Sequence, residues 1–143
     1  MFLGNYPANI DGKGRINIPS RYREILDEKY GGNLILSVSK DCLVVYPQSE
    51  WTALEEKWRE LPPLRKDVQD FYRLFYSRAA ECPMKHGRIL IPPSLRGLAD
   101  LKKEVVIAGV SRRMEIWDRG RWEKFMSEKE GQFEELGNRL SEM

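Results

Sequence analysis

The sequence predicts an α+β fold, rich in β-structure, in which one short strand–loop–strand module occurs twice with helices packed around it. The first observation behind this is an internal repeat. Residues 12–19 read Gly-Lys-Gly-Arg-Ile-Asn-Ile-Pro and residues 85–92 read Lys-His-Gly-Arg-Ile-Leu-Ile-Pro, so that Gly-Arg-Ile-x-Ile-Pro recurs at an offset of 73. The second is that the later parts of the halves also match. Val38-Ser39-Lys40-Asp41 pairs with Val110-Ser111-Arg112-Arg113, and Leu43-Val44-Val45-Tyr46-Pro47 with Met114-Glu115-Ile116-Trp117-Asp118, the offset slipping to 71 through short loop deletions. The third is an alternation of short apolar runs, bounded by Gly and Pro, with stretches of helical period.

The elements follow in order. Residues 15–18 and 88–91 are β-branched strands, each stopped by proline. Pro19-Ser20 and Pro93-Ser94 open short helices, with serine placed to cap free N–H groups. Residues 34–38 and 104–108 are buried strands; 43–46 and 114–117 are their hairpin partners, with Ser39-Lys40-Asp41 and Ser111-Arg112-Arg113 at the turns. From Ser49, the residues Trp51, Leu54, Trp58 and Leu61 share one helical face, and Pro62-Pro63 ends that helix. Val68, Phe71, Tyr72, Phe75 and Tyr76 mark a second helix. Trp122, Phe125, Met126, Phe133, Leu136 and Leu140 mark a last one, with Gly131 as its weak point. At this spacing the aromatic residues belong to core or to a subunit interface rather than to base-stacking platforms. The implied division is 5–47 for the first module, 48–77 for connecting helices, 78–121 for the second module and 122–143 for the C-terminal helix.

Composition bounds the function. With 143 residues, 41% hydrophobic and 32% charged, the chain supports a core, but two separate cores of about 60 residues each would be marginal. The halves are therefore expected to fold together or to lean on neighbouring subunits. The last 21 residues carry a balance of −3 and the remainder +5, which permits a nucleic-acid face on the body. No apolar run approaches the roughly 20 residues that cross a bilayer, and the opening residues lack signal-peptide character. The expectation is a cytoplasmic protein without a membrane partner. Cys42 and Cys82 read as small buried hydrophobes. No nucleophile elbow and no metal-ligand cluster is visible, so the reading is a non-enzyme without cofactor or metal.

The loops carry the chemistry. In Asp11-Gly12-Lys13-Gly14-Arg15 both glycines are expected to supply positive φ. Lys13 falls at the tip, and the Asp11 carboxylate is placed to receive two N–H bonds from the Arg15 guanidinium. An arginine so fixed is a structural strut or a preorganised reader of phosphate or guanine. In the second loop, Met84-Lys85-His86-Gly87-Arg88, Met84 falls where the first copy has Asp11. Arg88 is left without a carboxylate, among a dense basic tip of Lys85 and His86. His86, the sole histidine, reads first as a solvated side chain and second as a phosphate contact.

Met1-Phe2-Leu3-Gly4, Asp11-Gly12-Lys13-Gly14-Arg15, Ile18-Pro19-Ser20-Arg21-Tyr22-Arg23, Tyr46-Pro47, Glu81-Cys82, Gly87-Arg88-Ile89-Leu90-Ile91-Pro92 and Glu115-Ile116-Trp117-Asp118 together resemble the MraZ family over essentially the whole chain. The resemblance implies two SpoVT/AbrB-like modules, related to swapped-hairpin barrels, forming a compact barrel-like core and ring-shaped oligomers. It implies a nucleoid-associated transcriptional regulator of the division and cell-wall gene cluster, binding repeated boxes of double-stranded DNA upstream of its own operon. Arg15 and Asp11 match the first Asp-x-x-x-Arg motif and Arg88 matches the second arginine. The second aspartate is missing, and 82–88 is one residue shorter than the family pattern. DNA contact is thus expected from Arg15, Lys13, Arg88, Lys85 and His86, with Asp11, Gly12, Gly14 and Gly87 shaping the loops. Competing readings are a ring-forming interaction protein without specific DNA readout and an antitoxin-like AbrB regulator.

Overall fold

The computed structural model describes residues 1–143. Its strands are β1 (Asn5–Asn9), β2 (Arg15–Asn17), β3 (Leu34–Val38), β4 (Leu43–Pro47), β5 (Ala80–Glu81), β6 (Arg88–Leu90), β7 (Glu104–Val110) and β8 (Arg113–Asp118). Its helices are α1 (Ser20–Ile25), α2 (Gln48–Trp58), α3 (Lys66–Ser77), α4 (Pro93–Leu98), α5 (Arg119–Lys129) and α6 (Phe133–Ser141). No helix is long and apolar enough to cross a membrane.

Six strands form one antiparallel sheet in the order β1-β7-β8-β4-β3-β5, and β2 pairs with β6 in a separate ribbon. Exchanging the halves turns the six-strand order into its own reverse, so the repeat is expressed as a pseudo-twofold axis between β4 and β8. Each half donates its first strand to the other half's hairpin or meets it across the axis: β1 lies on β7, and β2 lies on β6. The halves accordingly share one core of 19 buried residues, with Ile16 and Ile18 beside Ile89 and Ile91, and Leu36 and Val45 beside Ile107 and Ile116. The expectation that the halves fold together holds.

Strand β4 and the Val105–Ala108 stretch of β7 are buried, as continuous apolar runs should be when both faces are covered. One face meets the ribbon residues Ile16 and Ile89. On the other, Cys42, Val44 and Trp117 pack with Trp122 of α5. Both cysteines are buried and unpaired, and burial raises their thiols to about 12 for Cys42 and about 11 for Cys82. Helices α2 and α3 close on one another through aromatic contacts, Trp51 stacking on Phe75 at 5.2 Å and Trp58 meeting Phe71 edge-on at 5.0 Å.

Three details differ from the sequence reading. Neither Ser20 nor Ser94 caps a helix; Pro19 and Pro92 hold the N-cap positions, with no side-chain cap at either. The proline carbonyls accept the first helical N–H groups instead, Tyr22 N to Pro19 O at 2.9 Å and Leu95 N to Pro92 O at 3.0 Å. The last helix is not continuous: it breaks into α5 and α6 at a 3-10 turn, Glu130–Gln132, that contains Gly131. Strands β1 and β5 were not anticipated. β1 contains Pro7, which an edge strand accommodates because one row of its N–H groups has no ladder partner to lose.

Candidate nucleic-acid interface

The two repeated loops are hairpin tips of different length. In the first, Asp11 N donates to Arg15 O (2.9 Å) and Gly14 N to Asp11 O (3.0 Å). This is a three-residue tip whose third residue, Gly14, has φ +87°, the pattern of a turn followed by a glycine bulge. Such a tip leaves the N–H groups of Lys13 and Arg15 without carbonyl partners. The Asp11 carboxylate accepts both at 2.9 Å through Oδ1, while its Oδ2 accepts Arg15 Nε at 2.8 Å. The guanidinium therefore gives one bond to the carboxylate, not the two expected, because the other oxygen is committed to the backbone. These donors hold the Asp11 carboxyl down at about 2, the Arg15 backbone N–H contributing most. Gly12 does not take positive φ; only Gly14 performs the role the sequence assigned to both.

In the second loop, Lys85 N donates to Arg88 O (2.8 Å) and Arg88 N to Lys85 O (3.0 Å). The two tip residues, His86 at φ 55° and Gly87 at φ 74°, have the left-handed geometry of a two-residue hairpin turn. Lys85, rather than Met84, therefore holds the position of Asp11, which corrects the earlier correspondence. The Arg88 N–H already has a carbonyl partner, so this tip needs no carboxylate. A shorter loop and a missing aspartate are one structural fact.

The tips are joined by the ribbon. Arg15 pairs with Leu90, Ile16 with Ile89 and Asn17 with Arg88, so period-2 alternation sends the isoleucines into the core and leaves Arg15, Asn17, Arg88 and Leu90 on the outer face. Reciprocal bonds tie each half to the other's glycine: Ile18 N to Gly87 O and Ile91 N to Gly14 O, both 2.9 Å. A groove of 760 Å³ brings together Lys13, Arg15, Lys85, His86 and Arg88, with Glu81 as its one carboxylate. Of these basic side chains, only Arg15 is held in an ion pair.

Arg96 also lines this groove, and sequence reasoning did not assign it a role. Its guanidinium carbon comes to 3.0 Å from where a Cβ would stand on Gly14, and Arg23 Nη1 comes to 2.6 Å from the same point on Gly87. Each helix arginine lies across the glycine of the opposite half's tip. Arg23 and Arg96 differ by 73, so the repeat offset applied strictly would have found them. The surroundings of the tips differ in charge. Asp11 and Gly12 share a hollow with Arg96, Lys102 and Lys103, whereas Gly87 and His86 share one with Arg23, Glu24 and Asp27.

Fold and groove define a class: an internally duplicated α+β protein whose halves exchange strands and meet in a cationic two-stranded ribbon. The family model described as "MraZ protein, putative antitoxin-like" matches twice, over residues 1–74 and 75–142. The chain is 42% identical over 144 residues to the transcriptional regulator MraZ of Desulforamulus reducens, covering 100% of this chain and 99% of that one. It is 46% identical over 141 residues to the transcriptional regulator MraZ of Moorella thermoacetica, covering 98% and 96%. The chain belongs to the MraZ family.

Proposed function

We propose that this protein is a sequence-specific DNA-binding transcriptional regulator that acts on repeated boxes upstream of its own operon, in the division and cell-wall gene cluster. The observation that carries the reading is the convergence of five basic side chains from both repeats on one groove along a two-stranded ribbon. A ribbon of that width fits the major groove. Arg15, fixed by Asp11, is the base reader, with Lys13 beside it. Arg88, Lys85 and His86 hold phosphates. The names of the relatives, both transcriptional regulators, support the same reading.

One bidentate base contact is worth about 1–3 kcal/mol, too little for specific binding by a single subunit. The chain therefore works as a homo-oligomer, a ring in which neighbouring copies engage successive boxes and gain affinity through effective concentration. The modules are 5–47 and 78–121, joined by the helices of 48–77 and followed by the helical segment 122–143. The protein is cytoplasmic and associates with the nucleoid. Titration of the protein against the DNA upstream of its own gene, and against a shuffled fragment, tests the proposal. Tight, salt-dependent, selective binding that Arg15→Ala abolishes is the expected result. Unchanged affinity and box preference in Arg15→Ala contradicts it.

A further inference from the structure

We propose that Leu90 is a base-reading residue, contacting a thymine C5-methyl group in the major groove. This rests on the DNA-binding reading above. Leu90 stands on the outer face of the ribbon directly opposite Arg15 and two residues from Arg88. It is 57% exposed and lines the groove with Lys13, Arg15, Lys85, His86 and Arg88. Its neighbours Ile89 and Ile91 are in the core, so Leu90 contributes nothing to that core.

An exposed leucine ringed by cations is poorly suited to an apolar protein surface, because docking there would strip water from the surrounding charges. Its partner must be anionic at the rim and apolar at a point on the floor. The major groove of duplex DNA has that arrangement, with phosphates along both edges and the thymine methyl group on the floor. Single-stranded nucleic acid fits less well, since its binding grooves stack bases on aromatic rings and no Phe, Tyr or Trp lines this groove. The opposite strand makes the ribbon asymmetric. Asn17 occupies the position equivalent to Leu90, so the ribbon shows a carboxamide on one strand and an isobutyl group on the other.

The experiment replaces each thymine of the bound upstream fragment, one at a time, by deoxyuridine, and measures affinity with wild type, Leu90→Asn and Leu90→Ala. Asparagine is compatible with the ribbon because Asn17 already occupies the matching site. With wild type, loss of the contacted methyl is expected to weaken binding about fourfold, the worth of one buried methyl group. Both variants bind thymine DNA more weakly by a similar factor and lose nothing further at that base. Wild-type indifference to every substitution overturns the inference, as does undiminished thymine sensitivity in both variants. Failure of the wild type to bind any fragment with salt dependence overturns the DNA-binding reading itself, and is thereby distinguished from failure of the Leu90 contact.

Discussion

Arg96 lies against Gly14, its guanidinium carbon 3.0 Å from the position a Cβ would take on that glycine. Gly14 also sits at φ +87°, where a side chain meets its own carbonyl. Gly14→Ala is expected to lose about 1–2 kcal/mol of stability from backbone strain and to shift the Arg96 guanidinium slightly away from the tip. Gly12 has neither positive φ nor any atom within 4 Å of its Cβ position. Gly12→Ala should therefore stay within about 0.5 kcal/mol of wild type. Denaturant unfolding of the two variants measures the contrast; equal effects would remove the reason given for a glycine at 14.

The Asp11 carboxyl is held at about 2, below its ordinary 3.8. Since the folded value is the lower one, the stability it contributes is complete above pH 4 or so and is lost as pH falls through 2. Carboxyl-carbon NMR titration is expected to place its midpoint near 2, with the Arg15 Nε resonance moving in step. A midpoint at the ordinary carboxylate value would mean the Asp11–Arg15 bond does not persist in solution.

How much of this was legible in the sequence depends on how local each cause is. The Asp11-to-Arg15 spacing reports a loop that satisfies its own backbone, so it could be read from five residues. The apolar runs of β3 and β7 announce buried strands wherever they pair. β1 gives no such signal: its sequence contains Pro7 between two asparagines' span, and its partner β7 lies about 100 residues away. β5 is two residues long and exists only because β3 offers it an edge. The repeat offset marks Arg23 and Arg96 as equivalent, but the contact of each with a glycine of the other half appears only in the fold. The exposure of Leu90 became visible only once pairing of β2 with β6 fixed which residues face outward.

Arg88 lacks the carboxylate clamp of Arg15, and its side chain is free to follow a phosphate. Arg88→Ala is expected to weaken binding to cognate and shuffled DNA alike and to flatten the plot of log affinity against log salt by about 1. Arg15→Ala should instead erase the difference between the two fragments. A selective loss of cognate binding in Arg88→Ala would assign base readout to the second tip as well.

Helix α6 presents an apolar face that packs on neither buried cluster. Phe133 is 79% exposed and Leu140 68% exposed, one helical face apart by seven residues on α6, and neither touches the buried core. In water such a face is stabilised by burial against a like surface, at about 25 cal/mol per Å². If it joins copies in the proposed oligomer, Phe133→Asp with Leu140→Asp should reduce the mass measured by light scattering while leaving the fold intact, because no core contact is removed. DNA selectivity should fall with the mass, since each remaining unit engages fewer boxes at once. An unchanged mass would exclude this face as a contact between copies.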